Sequence, residues 1–389
     1  MGGPESLGRR PSAMWLWSSD QASAALRSRD LGQILRVYRR INGLSQERLA
    51  AVLGYDKTYI SMIETRRRAI TDVGALRHIA HTLGVPVHVL GVTEPDDATY
   101  LAMVQFAGSI LSLADIARQS GRAVDAINEL WPLVARLEAR AADGFADRES
   151  LGLLGRARVS LGVALGTVLP DEKLSTAARW TGQALVVAER LDNETTLAHT
   201  LAMHGNELRK AGHLAAAVSR LRRAVALSQT PEARSAACAM LARAAGETGH
   251  AELFDEAIDA YQRQLDGPAG SSGMFGNRFT LREVQLRGLA ATGRAPLAAR
   301  LLGEVQDELP AAPQWQVIGH VTTGEVLLAV GDRQGAEQAL LAAIAGATTY
   351  RLPHQIQRAL RLANGQLDEV VAAGRPALDE LGRQLAHPL

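Results

Sequence analysis

The side chains that could take part in chemistry are mostly cations and amides rather than nucleophiles. The sequence lacks the Gly-x-x-x-x-Gly-Lys motif that binds phosphate, the His-Glu-x-x-His motif that binds zinc and the Gly-x-Ser-x-Gly motif that carries a catalytic serine. His78 and His81 have the helical spacing for a shared metal ion, but they fit surface histidines better. Cys238 lies in an alanine-rich segment and is predicted to be buried. We therefore expect neither an enzyme nor a metal or cofactor site.

The charged residues are distributed unevenly. From Arg27 to Gly91 there are 11 Lys and Arg against 5 Asp and Glu, whereas from Val92 to Leu389 there are 29 against 34. The net charge of +1 for the whole chain conceals this division. A compact basic module followed by a larger acidic body is typical of a nucleic-acid reader with a separate control domain.

The composition predicts an all-α protein with more than one domain. Hydrophobic residues make up 47% of the 389 residues and aromatic residues only 4%, with abundant Ala and Gly, which favours closely packed helices over a β-sandwich. The single cysteine excludes an internal disulfide and a cysteine-based zinc site. We find no apolar run near the roughly 18 residues that cross a bilayer and no apolar segment of a signal peptide. We therefore expect a cytoplasmic protein that does not contact a membrane.

The basic segment divides into five short predicted helices. Ser45, Asp56 and Asp72 each stand where an N-cap is needed, since their side chains can accept a hydrogen bond from the first turn of the next helix. Gly54 and Gly84 are suited to the left-handed turn that ends a helix. The predicted organisation is a flexible leader at 1–26, this domain at 27–91, a linker at 92–99 and a helical body at 100–389.

The segment from Leu44 to Glu64, with the sequence LSQERLAAVLGYDKTYISMIE, resembles the helix-turn-helix of phage-repressor-like (XRE family) regulators. Ala50 allows two helices to approach closely, Gly54 turns the chain, and Ile60 anchors the second helix. The resemblance covers residues 30–91. It implies a five-helix DNA-binding headpiece whose second motif helix lies in the major groove of double-stranded DNA.

The resemblance also implies a set of DNA contacts. Side chains on the exposed face of the second helix would read base edges, while flanking polar and cationic side chains would hold phosphates. The base-reading positions are Lys57, Thr58, Ser61 and Met62, and the phosphate-facing positions are Gln46, Tyr59, Arg66, Arg67 and Arg68. The alternative for each is a solvated helix surface.

Arg39 and Glu64 match a structural pair of such repressors. There the two side chains form a partly buried bridge between the first and third helices, which fixes the reading helix. The sequence departs from the family just after this point, because Arg66 stands where a glycine is usual. The geometry of that turn is therefore open.

The acidic body is predicted to consist of helical hairpins. Five glycines separate pairs of predicted helices, and the last four lie at intervals of roughly 40 residues. They are Gly121, Gly212, Gly249, Gly293 and Gly331. The residues around Gly205 and around Gly324 resemble tetratricopeptide repeats. We predict about six hairpins stacked into a right-handed superhelix, with the first helix of each hairpin lining a concave groove.

A polar residue occupies the equivalent groove-facing position in each of five hairpins. These positions hold Asp115, Asn206, Arg243, Arg287 and Glu325. Tetratricopeptide repeats often hold peptides through Asn side chains and bind carboxylates through cations, so the resemblance implies a ligand site. Its contacts would be His199, Asn206, Arg209, Arg243 and Arg287. The alternative is a wet groove whose charges pair with each other, for example Arg287 with Glu283.

A glycine-rich loop, residues 266–277, interrupts the body. Met274 and Phe275 could close over a bound ligand, although an ordinary linker between repeats is the simpler interpretation.

The combined architecture resembles that of peptide-responsive regulators. It implies a homodimer on a palindromic operator, with a peptide or small-molecule effector in the repeats. The alternative is a repeat scaffold that docks a partner protein, such as a sigma factor, with auxiliary DNA binding.

Overall fold

The computed structural model describes residues 20–85, 87–90, 92, 98–142, 148–267, 275–304, 309–310 and 312–386. These residues form α-helices and two short 3-10 helices, Val87–Leu90 and Asp171–Lys173, with no strand among them. The α-helices are α1 (Asp20–Ser28), α2 (Leu31–Ile41), α3 (Gln46–Leu53), α4 (Lys57–Glu64), α5 (Val73–Leu83), α6 (Ala98–Gln119), α7 (Ala123–Ala142), α8 (Arg148–Val168), α9 (Leu174–Arg190), α10 (Glu194–Lys210), α11 (Leu214–Leu227), α12 (Pro231–Glu247), α13 (Ala251–Leu265), α14 (Arg278–Ala291), α15 (Ala295–Leu302), α16 (Pro313–Ala329), α17 (Arg333–Thr349), α18 (Pro353–Ala363) and α19 (Asp368–Ala386).

The described residues divide into two compact units. The first comprises those of Met1–Ile110, Asn128–Leu154 and Gln384–Leu389, and the second comprises those of Leu111–Ile127 and Gly155–Arg383. The division runs through α6, α7 and α8, so the first helix pair is shared between the units.

Local signals at the helix ends determine the fold of residues 30–90. The side chains of Ser45, Asp56 and Asp72 accept hydrogen bonds from the backbone N–H three residues further on, at 3.1, 2.7 and 2.7 Å. Gly54 and Gly84 have φ values of +73° and +65°, in the left-handed region. All five expected helical segments are present, the last as the 3-10 helix.

A helix precedes this domain where the sequence analysis expected a poorly ordered leader. α1 packs against α2, and Ala22 and Ala25 are fully buried. The expectation therefore does not hold for residues 20–26, because small side chains three residues apart bury one helix face without a conspicuous apolar stripe. Residues 1–19 lie outside the described part of the chain.

The second unit is an array of helix pairs. Consecutive pairs such as α10–α11, α12–α13 and α16–α17 pack against each other and against the next pair. The five glycines predicted at the hairpin turns all have φ between +74° and +87°. Within α10, a Cβ on Gly205 would lie 2.6 Å from Cγ of Leu221, so the glycine permits the close contact with α11.

The described residues contain seven helix pairs after residue 98, whereas about six were expected. The additional pair is α18–α19, whose turn contains Gly365 at φ +74°. The sequence analysis did not recognise this pair, because it lacks the pattern of small residues seen around Gly205.

One described helix, α8, is long and apolar enough to cross a membrane by length and composition alone. The sequence analysis found no such run, because Arg156 and Arg158 interrupt it. Within the fold, 61% of its apolar window is buried, as in the core helix of a folded domain.

Candidate nucleic-acid interface and ligand cavity

Helix α4 presents one polar face. Ile60 and Ile63 on its opposite face are buried in the first unit. Lys57 and Thr58 are exposed, while Ser61 and Met62 are half-buried on the same helix. The four predicted base-reading positions are thus accessible to different degrees, greatest at the N-terminal end of α4.

Glu64 connects α4 to the two preceding helices. Arg39 of α2 donates two hydrogen bonds to the Glu64 carboxylate, from Nε at 3.0 Å and from Nη2 at 3.2 Å. Gln46, the first residue of α3, donates from Nε2 to the same carboxylate at 2.7 Å. Arg39 also donates to the carbonyl of Leu44 at 3.2 Å. The side-chain amide of Gln46, expected to contact phosphate, is therefore already bonded within the domain through one of its hydrogens.

Arg66 occupies a strained turn after α4. Its φ is +61°, in the left-handed region that favours glycine, which is the residue that the resemblance leads one to expect at this position. Its Nε donates to the carboxylate of Asp30, the N-cap of α2, at 2.5 Å. Burial raises the pKa of Asp30, but the backbone N–H of Gln33 and the Arg66 guanidinium outweigh it and lower that pKa. Arg66 is thus held by a carboxylate.

The remaining predicted phosphate contacts are Tyr59, Arg67 and Arg68. The Arg68 guanidinium lies 4.8 Å from the centre of the Tyr59 ring, which is itself 4.9 Å from the ring of Tyr55. Arg67 is exposed, as is Arg68. The two arginines and Tyr59 therefore add a basic, partly aromatic border at the C-terminal side of α4.

The second unit contains a partly open cavity of about 680 Å³. Its wall is formed by the first helix of every hairpin, from the end of α6 to α18. The five predicted ligand contacts all line it: His199, Asn206, Arg209, Arg243 and Arg287. Desolvation in the cavity wall lowers the pKa of His199, against the effect of Asp115. Phe275 also lines the cavity, while Met274 lies outside the described residues.

Glu247 on α12 is the centre of the charge network in the cavity wall. Arg209 and Arg287 each donate to its Oε1 at 2.6 Å. Burial raises the pKa of Glu247, but Arg209 and Arg287 outweigh this and lower it to about 2. The pairing suggested from the sequence, Arg287 with Glu283, is replaced by Arg287 with Glu247. Glu283 instead accepts a hydrogen bond from Thr322 at 2.8 Å.

Arg243 is buried in the same network without a carboxylate of its own among the described residues. It is 7% exposed, and its Nε has no hydrogen-bond partner there. Its guanidinium lies 5.2 Å from the centre of the Trp315 ring, which meets Phe275 edge to face at 5.7 Å. Burial, together with Arg209, lowers the pKa of Arg243 to about 9.

Several residues of the cavity wall were not found from the sequence. Arg358 of α18 forms an ion pair with Glu325, and its Nη2 donates a hydrogen bond to the hydroxyl of Thr322 at 3.2 Å. His354 lies on the same helix, and burial together with Lys210 and three arginines lowers its pKa to about 3. Recognising α18 as the first helix of a repeat would have placed both residues in the groove.

The two ends of the second unit meet at the cavity. Gln357 of α18 accepts a hydrogen bond from the backbone N–H of Asp171 at 2.7 Å and donates to Glu172 at 3.0 Å. Arg361 pairs with the Asp171 side chain. These partners lie about 190 residues apart in sequence, so the contact joins the first repeats of the unit to the last.

His78 and Cys238, which the sequence singled out for metal or thiol chemistry, are engaged within the fold. No cluster of three metal-binding side chains occurs among the described residues. His78 instead bonds through Nε2 to the carbonyl of Leu53 at 3.0 Å. Cys238 is buried, and burial raises the pKa of its thiol to about 11, which keeps it protonated.

Helices α3 and α4, joined by the turn at Gly54, form a helix-turn-helix, and sequence comparison supports this assignment. Residues 30–90 match the family described as a helix-turn-helix domain, and they form such a domain. Over 41 residues, 10% of the chain, the sequence is 46% identical to the control protein C.SmaI of Serratia marcescens. That match spans 49% of the relative, so the chain covers about half the length of the curated protein it resembles.

Proposed function

We propose that this protein is a cytoplasmic, sequence-specific DNA-binding transcription regulator. In this proposal its repeat unit binds a regulatory ligand and mediates formation of a homodimer. The observation that carries the proposal is the bidentate Arg39–Glu64 bridge, which fixes α4 while Lys57 and Thr58 remain exposed. The similarity to a control protein supports a regulatory role for the whole chain.

The exposed face of α4 suits the major groove of DNA. Each base pair presents a distinct set of donors and acceptors there, which Lys57, Thr58 and Ser61 can read by hydrogen bonding. The half-buried Met62 offers an apolar contact for a thymine methyl group. Arg67, Arg68 and Tyr59 would position the domain on the phosphates without specifying sequence.

A homodimer would read a palindromic operator. The two copies of α4 would then enter successive major grooves about 34 Å apart, or a multiple of that distance. Ligand binding in the repeat unit would change DNA affinity only if it favoured one arrangement of the two headpieces over another. The volume of the cavity is that of a small-molecule site, which favours a bound ligand over a docked partner protein such as a sigma factor, since a protein interface buries a much larger area.

Selection of bound duplexes from a random pool tests the DNA-reading role. We expect the full-length protein to enrich one inverted-repeat sequence and to elute in light scattering as two copies of the 41.5 kDa chain. Lys57→Ala/Thr58→Ala should lose affinity for that sequence by about 30-fold or more, because each base contact contributes roughly 1–3 kcal/mol. Low-salt binding to random DNA should persist through Arg67 and Arg68.

Arg223→Ala is the matched control, since it removes an exposed cation of α11 that pairs with Glu189 in the second unit. It should enrich the same sequence as the unaltered protein. Failure of the unaltered protein to enrich any sequence, or enrichment of the same sequence by the Lys57/Thr58 variant, would contradict the proposal.

A further inference from the structure

We propose that the cavity binds a compact organic anion, whose single acidic group pairs with Arg243 and whose apolar body lies against Trp315 and Met240. The inference rests on the proposed function only for the regulatory consequence of binding. The site itself is argued from the charges, the unpartnered atoms and the size of the cavity.

The inner wall of the cavity carries an excess of positive charge. Among the described residues that line the cavity, seven Arg and Lys side chains face four Asp and Glu side chains. Four of the arginines, Arg209, Arg243, Arg287 and Arg358, form one charge network with Glu247, Glu283 and Glu325, of which only Glu247 lines the cavity. Glu247 is shared by two of the arginines, and Arg358 pairs with Glu325. Arg243 remains without an ion pair although it is 7% exposed. Burial lowers the pKa of Arg243, and the carboxylates of Glu283 and Glu247 oppose this without forming an ion pair with it among the described residues. Because buried charges in proteins are normally paired, an anion in the cavity would supply that missing ion pair.

The cavity wall also contains buried polar atoms without a hydrogen-bond partner among the described residues. Besides Arg243 Nε, buried nitrogen donors without a hydrogen-bond partner among the described residues include Arg118 Nε, Trp315 Nε1 and Arg358 Nη1. These residues come from α6, α12, α16 and α18, yet all line the same cavity. Two amide oxygens of the same wall, Gln314 Oε1 and Gln355 Oε1, are also buried without a partner among the described residues. Since buried polar groups are rarely left unsatisfied, a ligand with acceptor oxygens would satisfy the four nitrogen donors, and a donor group or water would satisfy the two amide oxygens.

One part of the cavity wall is apolar. Met240 and Trp315 are almost fully buried, and Ile318 lies one turn from Trp315 in the same wall. A volume of about 680 Å³ lies within the range of sites for small organic molecules. A bare inorganic anion would leave this apolar surface uncovered.

The same contacts disfavour an extended peptide held through its backbone. Asn206, the residue expected to bond a peptide backbone, instead accepts hydrogen bonds from Arg209 at 3.0 and 3.3 Å through Oδ1. The contact of Gln357 with Asp171 and Glu172 joins the two ends of the array beside the cavity. A compact ligand fits the cavity without breaking either contact.

A matched pair of fluorescent probes tests the proposal on the dialysed full-length protein. The anion 8-anilinonaphthalene-1-sulfonate and the neutral N-phenyl-1-naphthylamine share one aromatic body and differ in the acidic group. We expect the anion to bind with one site per chain, to receive energy from tryptophan, and to bind at least ten-fold more tightly than the neutral probe. Octanoate or octyl phosphate should displace it, whereas octanol should not, and the better competitor identifies the headgroup as carboxylate or phosphate.

Arg243→Met should weaken binding of the anion at least ten-fold and leave binding of the neutral probe unchanged. Its Tm should equal or exceed that of the unaltered protein, because an unpaired buried cation has been removed, and this shows that the variant folds. Arg243→Lys should retain affinity within about three-fold, since it keeps the charge. Arg223→Met, which changes an exposed arginine, should bind like the unaltered protein.

Absence of saturable anion binding, equal affinity for the two probes, or undiminished anion binding by Arg243→Met would each overturn the proposal. DNA binding is measured on the same samples to separate the two hypotheses. If anion binding depends on Arg243 but leaves operator affinity unchanged, the site stands and its regulatory role fails. If operator binding is intact without anion binding, only the ligand class fails.

Discussion

At the scale of single residues, the two side chains of the Arg39–Glu64 ion pair differ in their exposure to solvent. Glu64 is 3% exposed, whereas the Arg39 side chain is 27% exposed and can turn toward water when its partner is removed. We therefore predict that Arg39→Met costs about 3 kcal/mol or more of local stability, because it leaves a buried carboxylate with only Gln46 as a partner. Glu64→Gln, which retains an acceptor for Arg39, should cost clearly less.

Native-state hydrogen exchange of the α2 and α4 amides in the full-length protein measures this difference. The Arg39 variant should also lose specific DNA binding, since α4 is no longer fixed. Equal losses for the two variants would show that the exposure of the partners does not decide the cost.

Arg66 presents a second local contrast. Its positive φ costs roughly 1 kcal/mol or more for a non-glycine residue, whereas its exposed ion pair with Asp30 contributes at most about 1 kcal/mol. We predict that Arg66→Gly is neutral or stabilising by up to about 1 kcal/mol in the same exchange experiment. Arg67→Gly, at a position without positive φ, should instead be destabilising by roughly 0.5–1 kcal/mol. Greater stability of the Arg67 variant would refute the strain argument.

The sequence was most informative where the determining interactions are local. The N-caps at Ser45, Asp56 and Asp72 each involve partners three residues apart, so their residue types predict them. The ion pairs that Arg209 and Arg287 form with Glu247, and Arg358 with Glu325, join residues 33 to 40 positions apart on different helices. Nothing in the pattern around Arg287 distinguishes Glu283, one turn away on its own helix, from Glu247 on another helix.

At the scale of helices, the close contact between α10 and α11 depends on Gly205. A Cβ there would lie 2.6 Å from Leu221 Cγ and 3.3 Å from the carbonyl of Ala217. We predict that Gly205→Ala destabilises the second unit by about 1–3 kcal/mol, as in other overpacked cores. Urea unfolding followed by circular dichroism measures this.

Gly382 provides the matched control for Gly205. It is also helical, in α19, but a Cβ there meets nothing within 4 Å. Gly382→Ala should be stabilising by roughly 0.5–1 kcal/mol, because it reduces the freedom of the unfolded chain. A similar effect of the two substitutions would mean that the helix contact tolerates the added methyl group.

Five of the helical hairpins were predictable because their turns each contain a glycine in a left-handed conformation, whereas the turn between α8 and α9 contains Leu169 and Pro170 instead. α1 and the α18–α19 pair were not predicted, since their burial depends on neighbouring helices rather than on a repeated motif. The first is an alanine-rich helix whose buried face is made of Ala22 and Ala25. The last contains Pro376 inside α19, which weakens the helical pattern of the sequence. Both cases show tertiary contacts deciding where local propensity is weak.

At the scale of the whole molecule, the charge distribution of the sequence reverses inside the second unit. The chain from Val92 onward is acidic in total, yet the cavity wall contains a concentration of arginines. These cations come from helices far apart in sequence, so a count along the chain cannot reveal them. The reversal has a consequence for stability, because a histidine buried among these cations must remain neutral.

His354 should therefore make the protein less stable in mild acid. Burial, Lys210, Arg209, Arg243 and Arg287 lower its pKa from 6.5 to about 3. Between these two values the unfolded chain binds a proton that the folded chain does not. The free energy of unfolding must then fall as pH decreases from about 6.5 toward 3. Glu247, with its pKa lowered to about 2, adds a loss in the same direction only below about pH 4.5.

The window from pH 7 to pH 5 consequently isolates the histidine contribution from that of Glu247. We predict that His354→Gln, which cannot be protonated there, loses about 1–2 kcal/mol less stability across this window, since one pKa unit corresponds to about 1.4 kcal/mol. Scanning calorimetry at several pH values measures the difference. His250→Gln, at an exposed position before α13, should follow the unaltered protein. If His354→Gln shows the same pH dependence as the unaltered chain, the other histidines with lowered pKa values, His199, His204 and His320, carry the effect.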